Sequence, residues 1–260
     1  MLARPVVAGE VTSEDLTALP EADVVILGEL HDSPVHHLNQ AAAVAALAPS
    51  ALVFEMLSPG QVQGLSELER EDAETLGAAL NWAESGWPDF DFYWPIFAAA
   101  PDAPLYGAAL PRALVRGSVA AGPAASFAEA GGDPVLYGLD QPLPESQQTE
   151  REAMQMAAHC DALPEHMLGG MVGAQRLRDA AFAETVLDAL RVHGPPVVLI
   201  TGNGHARTDW GVPFYLARVA PEVSVYALGQ LEEAPEEAPP FDGWLVTAPT
   251  ERDDPCAAFR

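Results

Sequence analysis

The sequence predicts an α/β fold of three layers, in which a mainly parallel central sheet is flanked by helices and the functional site lies at the carboxyl ends of the strands. Short apolar runs alternate along the chain with longer helical patterns, which is typical of βαβ units. Two of the apolar runs end in Gly-x-x-His, at Gly28–His31 and at Gly202–His205. Because ligands in open α/β sheets bind just past the carboxyl ends of strands, we expect both histidines at one edge of one sheet.

The predicted strands are short, rich in β-branched residues and bounded by residues that favour turns. They are Asp23–Leu27, Ala51–Phe54, Leu105–Ala108, Val135–Tyr137, Val197–Thr201, Val223–Leu228 and Trp244–Thr247. Helical patterns separate most of them. The first opens with Pro34, a residue favoured in the first turn of a helix, and it ends at Pro49. The predicted helices are Val35–Ala48, Gly60–Leu68, Ala73–Ser85, Trp94–Ala100, Glu145–His159, Pro164–Arg191 and Val212–Val219.

The 260 residues are expected to form a single domain spanning residues 1–260. Within it, residues 110–144 are irregular and rich in proline and glycine, which predicts a lid, an insertion or a long connection. Residues 231–240 are acidic and rich in proline, and we expect them to be loosely held. No internal repeat recurs along the chain, which excludes a solenoid or a propeller.

The charge balance excludes nucleic acid as a partner. The chain has 12 basic residues, all of them arginine, against 38 acidic ones, and its formal net charge is −26. Such a surface repels phosphate backbones and anionic lipid headgroups. No apolar run is long enough for a transmembrane helix, and the first residues lack the apolar core of a signal peptide. The visible sequence by itself therefore points to the cytoplasm.

Cysteine usage is sparse, with only Cys160 and Cys256 in the chain. Two cysteines could pair in an oxidising compartment. Without a visible secretion signal, however, the sequence favours two free thiols.

Acidic and histidine side chains gather at the predicted strand ends. Glu29 and His31 lie two residues apart in extended chain, so both side chains face the same way. Glu55 follows the next strand, and His205 follows the strand that begins at Val197. These four residues are the candidate catalytic residues, and they are equally the candidate metal ligands. Imidazole and carboxylate groups together suit Zn, Mn, Fe or Ni, and neighbouring carboxylates also suit acid–base catalysis, so the sequence leaves both open.

A purely structural role explains only part of this pattern of acidic and histidine residues. Asp32 or Ser33 can cap the helix that begins at Pro34. That role gives no reason for Glu29, Glu55 and His205, and charged residues beside buried strands need one.

Further polar residues are candidates for supporting this pocket. Arg178 and Asp179 share a helical face, and Arg178 could orient a glutamate, bind a ligand carboxylate, or simply be solvated. His36 and His37 point about 100° apart on their helix, so at most one of them is expected to reach the pocket.

Aromatic residues are concentrated between Asn81 and Pro95, a segment that contains three of the five tryptophans. Such a cluster could form the wall of a site for a flat apolar ligand such as a porphyrin, or it could be a small satellite core. Tyr93 carries a phenol, a group that can ligate ferric haem iron.

Taken together, these motifs resemble the ChaN-like family of haem-binding uptake proteins, which shares a superfamily with Tiki/TraB proteins and erythromycin esterases. The matching segments span most of the chain in order. They are Gly28–Gln40 (GELHDSPVHHLNQ), Val53–Met56, Asn81–Phe97, Ala174–Ala183 and Thr201–Pro213 (TGNGHARTDWGVP).

The resemblance implies a haem- or iron-binding protein of haem uptake or iron acquisition, with a tyrosine as iron ligand and a homodimer around the haem. Tyr93 is the first choice of ligand because it lies in a matching segment, with Tyr106 second; His36 is a further candidate for binding the cofactor. The alternative is a metal-dependent hydrolase, protease- or esterase-like, that uses Glu29, His31, Glu55 and His205 on a small-molecule substrate. The resemblance also implies the cell envelope, although the chain departs from lipoprotein members in lacking a lipidated cysteine, and it has no lysine to pair with haem propionates.

Overall fold

The structure, a computed structural model, describes residues 8–66, 68–254 and 256–257. By its internal contacts the chain divides into two compact units. The first consists of Met1–Ala109 and Phe182–Thr250, and the second of Leu110–Ala181 and Glu251–Arg260.

The first unit is built on one parallel sheet, to which seven strands of the described residues belong. The strands are β1 (Gly9–Glu10), β2 (Val24–Glu29), β3 (Ala51–Phe54), β4 (Leu105–Gly107), β5 (Val197–Gly202), β6 (Val225–Leu231) and β7 (Gly243–Val246). Their order across the sheet is β1-β7-β6-β2-β5-β3-β4, and every pair is parallel. The predicted α/β class is therefore confirmed.

Ten α-helices occur within the described ranges. They are α1 (Pro34–Leu47), α2 (Pro59–Val62), α3 (Ala73–Ala79), α4 (Phe90–Ala99), α5 (Arg112–Ala121), α6 (Pro123–Glu129), α7 (Glu145–Ala158), α8 (Glu165–His193), α9 (Asn203–Ala206) and α10 (Val212–Val219). Helices α5, α6 and α7 belong to the second unit, whereas α8 contributes residues to both.

The central strands are buried on both faces. All residues of β2, β3 and β5 are buried, as expected for a parallel sheet covered by helices. On one face their side chains join those of α1 and α4 in a large apolar core. Helix α1 is alanine-rich, starts with a proline in its first turn and is followed by Ala48, whose φ of 45° is left-handed. A proline therefore begins the helix that follows β2, and an alanine in a left-handed conformation ends it.

The register of the sheet brings the two Gly-x-x-His motifs side by side. β2 pairs with β5, and Glu29 is the Cα partner of Gly202. β3 pairs with the other side of β5, and Phe54 lies opposite Ile200. The carboxyl ends of β2, β5 and β3 therefore meet at one edge of the sheet.

Several predicted elements differ from the observed ones. Val135–Tyr137 is not a strand: the Asp133 carboxylate accepts hydrogen bonds from the backbone N–H groups of Val135 and Leu136, which stabilises a turn. The stretch 110–144 is not irregular throughout, since it contains α5 and α6. Helix α4 begins at Phe90, four residues before its predicted start, because Asp89 accepts a hydrogen bond from the Asp91 N–H and caps it.

The expectation of two free thiols is wrong in this structure. Cys160 and Cys256 form a disulfide with their Cα atoms 5.4 Å apart, and both belong to the second unit. Cys160 lies in the turn after α7, so the bond attaches the C-terminal segment to that turn. The two cysteines of the sequence allow only this pairing, but no local signal shows that residues 96 positions apart lie side by side.

No helix in the described part of the chain has the length and apolar character needed to span a membrane.

Gly107 at the end of β4 is a position where only glycine fits. A Cβ atom there would collide with the backbone of Ser58 and lie 2.6 Å from the Leu57 carbonyl oxygen. Because backbone atoms cannot move aside as a side chain does, we expect Gly107→Ala to lower the free energy of unfolding by about 1–3 kcal/mol. Urea denaturation checks this, with Gly60→Ala, which has open space around it, as the control. Equal midpoints for the two variants would contradict the prediction.

Candidate functional site

Glu29, the last residue of β2, is the centre of the site. Its side chain is buried, and its Oε1 accepts a hydrogen bond from the Tyr93 hydroxyl at 2.8 Å and another from His31 Nδ1 at 2.7 Å. Its Oε2 faces His37 Nε2 at 3.4 Å. Burial alone would raise the pKa of this carboxyl group, but the hydrogen bond from His31, the close approach of His37 and the charge of both histidines outweigh burial and lower the pKa to about 2. Glu29 is therefore a buried carboxylate.

His31 is the member of this group that reaches solvent. Its Nδ1–H donates to Glu29, so the neutral ring carries its lone pair on Nε2. The side chain is 32% exposed, and its ring packs on that of Trp87 with centroids 4.7 Å apart. Trp87 is itself fixed, because its indole N–H donates to the Met56 carbonyl at 3.1 Å. The carboxylate and the indole together orient the imidazole.

Glu55, which follows β3, provides a second buried carboxylate. Its Oε2 accepts hydrogen bonds from the Thr201 hydroxyl at 2.6 Å and the Gly202 N–H at 2.8 Å, both at the end of β5. Its Oε1 lies 3.5 Å from His205 Nε2 and 3.9 Å from His31 Nε2. The four residues predicted from strand ends are thus brought together.

The close approach of His31 and Glu55 requires a glycine at position 202. A Cβ atom at this position would lie 2.8 Å from His31 Nε2 and 3.7 Å from Glu55 Oε2. The absence of a side chain on Gly202 leaves the space that His31 occupies.

His37 and Tyr93 were not predicted as partners of Glu29. Both are fully buried, and their rings meet edge to face with centroids 4.2 Å apart. His37 Nδ1 lies 2.8 Å from the Ser33 carbonyl oxygen, to which it donates. The helical spacing of His36 and His37 shows only that they point apart, so no signal in the sequence identifies which of them contacts Glu29.

His36 forms a hydrogen bond with the backbone of the first Gly-x-x-His motif. It is buried, and its Nδ1 accepts a hydrogen bond from the Leu30 N–H at 3.0 Å, while its Nε2 lies 3.0 Å from the Thr247 hydroxyl. Gln230 donates to the carbonyl oxygens of Gly28 and His36. In this arrangement neither ring nitrogen of His36 is available to an iron atom, which disfavours its predicted role in binding a cofactor.

Tyr93 does not fit the predicted role of haem ligand. Its hydroxyl is buried and donates to Glu29, and burial, followed by the charge of Glu29, raises its pKa far above that of a free phenol. An iron ligand would have to be a phenolate exposed to the cofactor. Tyr93 instead holds Glu29 in place.

Arg178 and Asp179 lie on α8 within the second unit. Asp179 is buried, with its Oδ2 4.0 Å from Nη2 of the buried Arg151, and Arg178 is half-buried. Their predicted support of the glutamate and histidine pocket stays a prediction.

Among the residues that the structure describes, no three or more His, Cys, Asp or Glu side chains are arranged as a metal site. Both oxygens of Glu29 and both oxygens of Glu55 already face protein groups. The prediction of a divalent metal at this pocket remains a prediction.

Comparison with known proteins identifies the relatives of this chain. A family model described as haem-binding uptake, Tiki superfamily, ChaN matches residues 16–216. A solved structure entitled cofacial heme binding to ChaN of Campylobacter jejuni is similar in fold, with a TM-score of 0.65 at 19% identity over 88% of each chain. A succinoglycan biosynthesis protein reaches a TM-score of 0.37 at 12% identity over 84% of this chain and 67% of its own. No curated protein matches the sequence significantly. Since the family model covers most of the chain, the protein belongs to the ChaN family of the Tiki superfamily.

Proposed function

We propose that this protein binds haem and serves in haem uptake or iron acquisition. The observation that carries the proposal is the match of the ChaN haem-binding family over residues 16–216. The similar Campylobacter jejuni structure, described as cofacial heme binding to ChaN, supports the same assignment.

Tyr106 is the tyrosine that fits an iron ligand. All five tyrosines of the chain lie among the described residues, and four of them are at most 3% exposed. Tyr106, on the edge strand β4, is half-buried, and its hydroxyl lies 2.9 Å from His193 Nε2. If haem binds here, the phenol oxygen of Tyr106 would hold the ferric iron as a phenolate ligand.

An exposed apolar side chain precedes His193 in the chain. Val192, near the end of α8, is 68% exposed. A porphyrin that ligates Tyr106 would cover apolar surface of this kind. We therefore propose this part of the first unit as the haem surface, with a homodimer around the haem as the accompanying arrangement.

The cell envelope is the location we propose. A disulfide persists in oxidising compartments and is rare in the cytosol, and this chain forms one between Cys160 and Cys256. This supports the envelope over the cytoplasm suggested by the first residues.

Titration with hemin tests the proposal. We expect the wild-type protein to give a Soret band distinct from that of free hemin. Tyr106→Phe should weaken binding about tenfold or more, equal to about 1.4 kcal/mol, because the phenolate ligand is lost. Tyr93→Phe is the matched control, since it removes a hydroxyl that is buried against Glu29. A wild-type protein without a shifted Soret band would refute haem binding. Equal affinities of Tyr106→Phe and the wild type for hemin would refute Tyr106 as the iron ligand.

A further inference from the structure

We infer that a groove at the amino ends of β2, β5 and β6 binds an amphipathic organic cation, a small molecule with an apolar body and an ammonium group. The groove has a volume of about 610 Å³, which is within the range of small-molecule pockets. It is lined by residues 16–19, 21–23, 46–47, 195–196 and 224, all of which belong to the first unit.

This groove lies at the opposite ends of the strands from the Gly-x-x-His motifs. Asp23, Pro196 and Ser224 line it, and each of them immediately precedes a strand. Neither Tyr106 nor His193 belongs to the lining. Binding in this groove is therefore independent of the proposed haem binding.

Part of the lining is apolar. Leu16 is 1% exposed and belongs to the large apolar core on one face of the sheet. Leu19 and Leu47 are half-buried and pack against that core. An apolar ligand body that covers the surface these side chains still expose gains the free energy of removing it from water.

The charged side chains of the lining are acidic. Glu21 and Asp23 carry carboxylates, and none of the described residues that line the groove is basic. Helix α1 also ends here, with Ala46 and Leu47 in its last turn, and the carboxyl end of a helix carries a partial negative charge. Charge complementarity therefore selects a ligand with a positive group.

One of the two carboxylates is already held in place. Asp23 Oδ2 accepts hydrogen bonds from the Ser224 N–H at 2.8 Å and from the Ser224 hydroxyl at 2.6 Å. The Asp23 carbonyl oxygen accepts a further bond from the Val197 N–H at 2.9 Å. These bonds join the starts of β2, β5 and β6, so this part of the groove does not have to reorganise when a ligand binds.

The same charge disfavours other classes of ligand. With a formal net charge of −26, a second copy of the chain is repelled, and so is an anionic lipid surface. The two propionates of haem would meet Glu21 and Asp23 with like charge. This distinguishes the groove from the proposed haem surface.

Titration of the haem-free full chain with 2-phenylethylamine, followed by NMR of the backbone amides, tests the inference. We expect saturable shifts centred on the residues that line the groove. The neutral analogue 2-phenylethanol should bind more weakly, because it lacks the positive charge. The double variant Glu21→Gln/Asp23→Asn should weaken binding of the amine about tenfold and leave binding of the alcohol unchanged, and the asparagine can still accept from Ser224.

A variant that fills the groove provides the second measurement. Ala46 is exposed on α1 and lines the groove, so Ala46→Trp should abolish binding of the amine. Ala42→Trp is the matched control, because Ala42 is exposed one turn earlier on the same helix and does not line the groove. Absence of saturable amine binding by the wild type, equal affinities of the wild type for the amine and the alcohol, or unchanged binding by Ala46→Trp would each overturn the proposal.

Discussion

Replacing Glu29 by leucine should lower the free energy of unfolding by about 3–5 kcal/mol, because the change leaves polar groups buried without their carboxylate. The Tyr93 hydroxyl and His37 Nε2 both face Glu29 from positions that water does not reach. Glu29→Gln keeps the shape and one acceptor oxygen, so it should cost less. Urea denaturation of the three proteins at neutral pH measures the difference. A leucine variant as stable as the wild type would show that this network contributes nothing to folding.

The lowered pKa of Glu29 also predicts how the stability of the protein depends on pH. The pKa of Glu29 is about 2 in the folded protein, against 4.5 as the ordinary value of a glutamate. A lowered folded pKa means that the carboxylate stabilises the fold fully above pH 4.5, and that this contribution is lost as the pH falls towards 2. Other carboxyl groups also titrate in this range, so the comparison with Glu29→Gln is required. The wild type should lose more stability than Glu29→Gln between these two pH values, and parallel curves would contradict the assignment.

Removing the disulfide should lower the free energy of unfolding by an amount similar to that expected for Glu29→Leu. The bond between Cys160 and Cys256 closes a loop across 96 positions, and a loop of about 100 residues is expected to contribute about 4.7 kcal/mol by restricting the unfolded chain. Replacing both cysteines by serine should therefore lower the urea midpoint of the second unit strongly.

Reduction provides the control for this prediction. Dithiothreitol should bring the wild-type midpoint to that of the double serine variant and should leave the variant unchanged. Titration of the native oxidised protein with a thiol reagent should find no free thiol. Two reactive thiols in protein isolated from its own compartment would contradict both the disulfide and the proposed location in the envelope.

The strand ends could be predicted from the sequence because their signals are local. A short apolar run that leads into glycine and histidine marks both a buried strand and the turn at its carboxyl end, and parallel pairing then places all such ends together. Glu29, His31, Glu55 and His205 were found in this way.

The remaining features depend on contacts between distant segments. Tyr93 lies in an aromatic segment that is equally compatible with a ligand wall and with a core, and only its position on α4 against Glu29 decides between them. The same applies to the choice between His36 and His37. The helices α5 and α6 were missed because proline and glycine, which usually interrupt structure, here lie at helix starts, at Pro123 and Gly122 for α6.

The position of β5 in the sheet has a consequence for biosynthesis. Within the described sheet β2 pairs only with β5 and β6, and β5 also separates β2 from β3. As the ribosome releases the chain, β2 therefore gains no partner strand until β5 (Val197–Gly202) has emerged, and until then its backbone groups lack their strand partners. A chain that ends before residue 197 would leave β2 as an unpaired apolar strand, which favours aggregation, so the pairing of β2 depends on about the last quarter of the sequence.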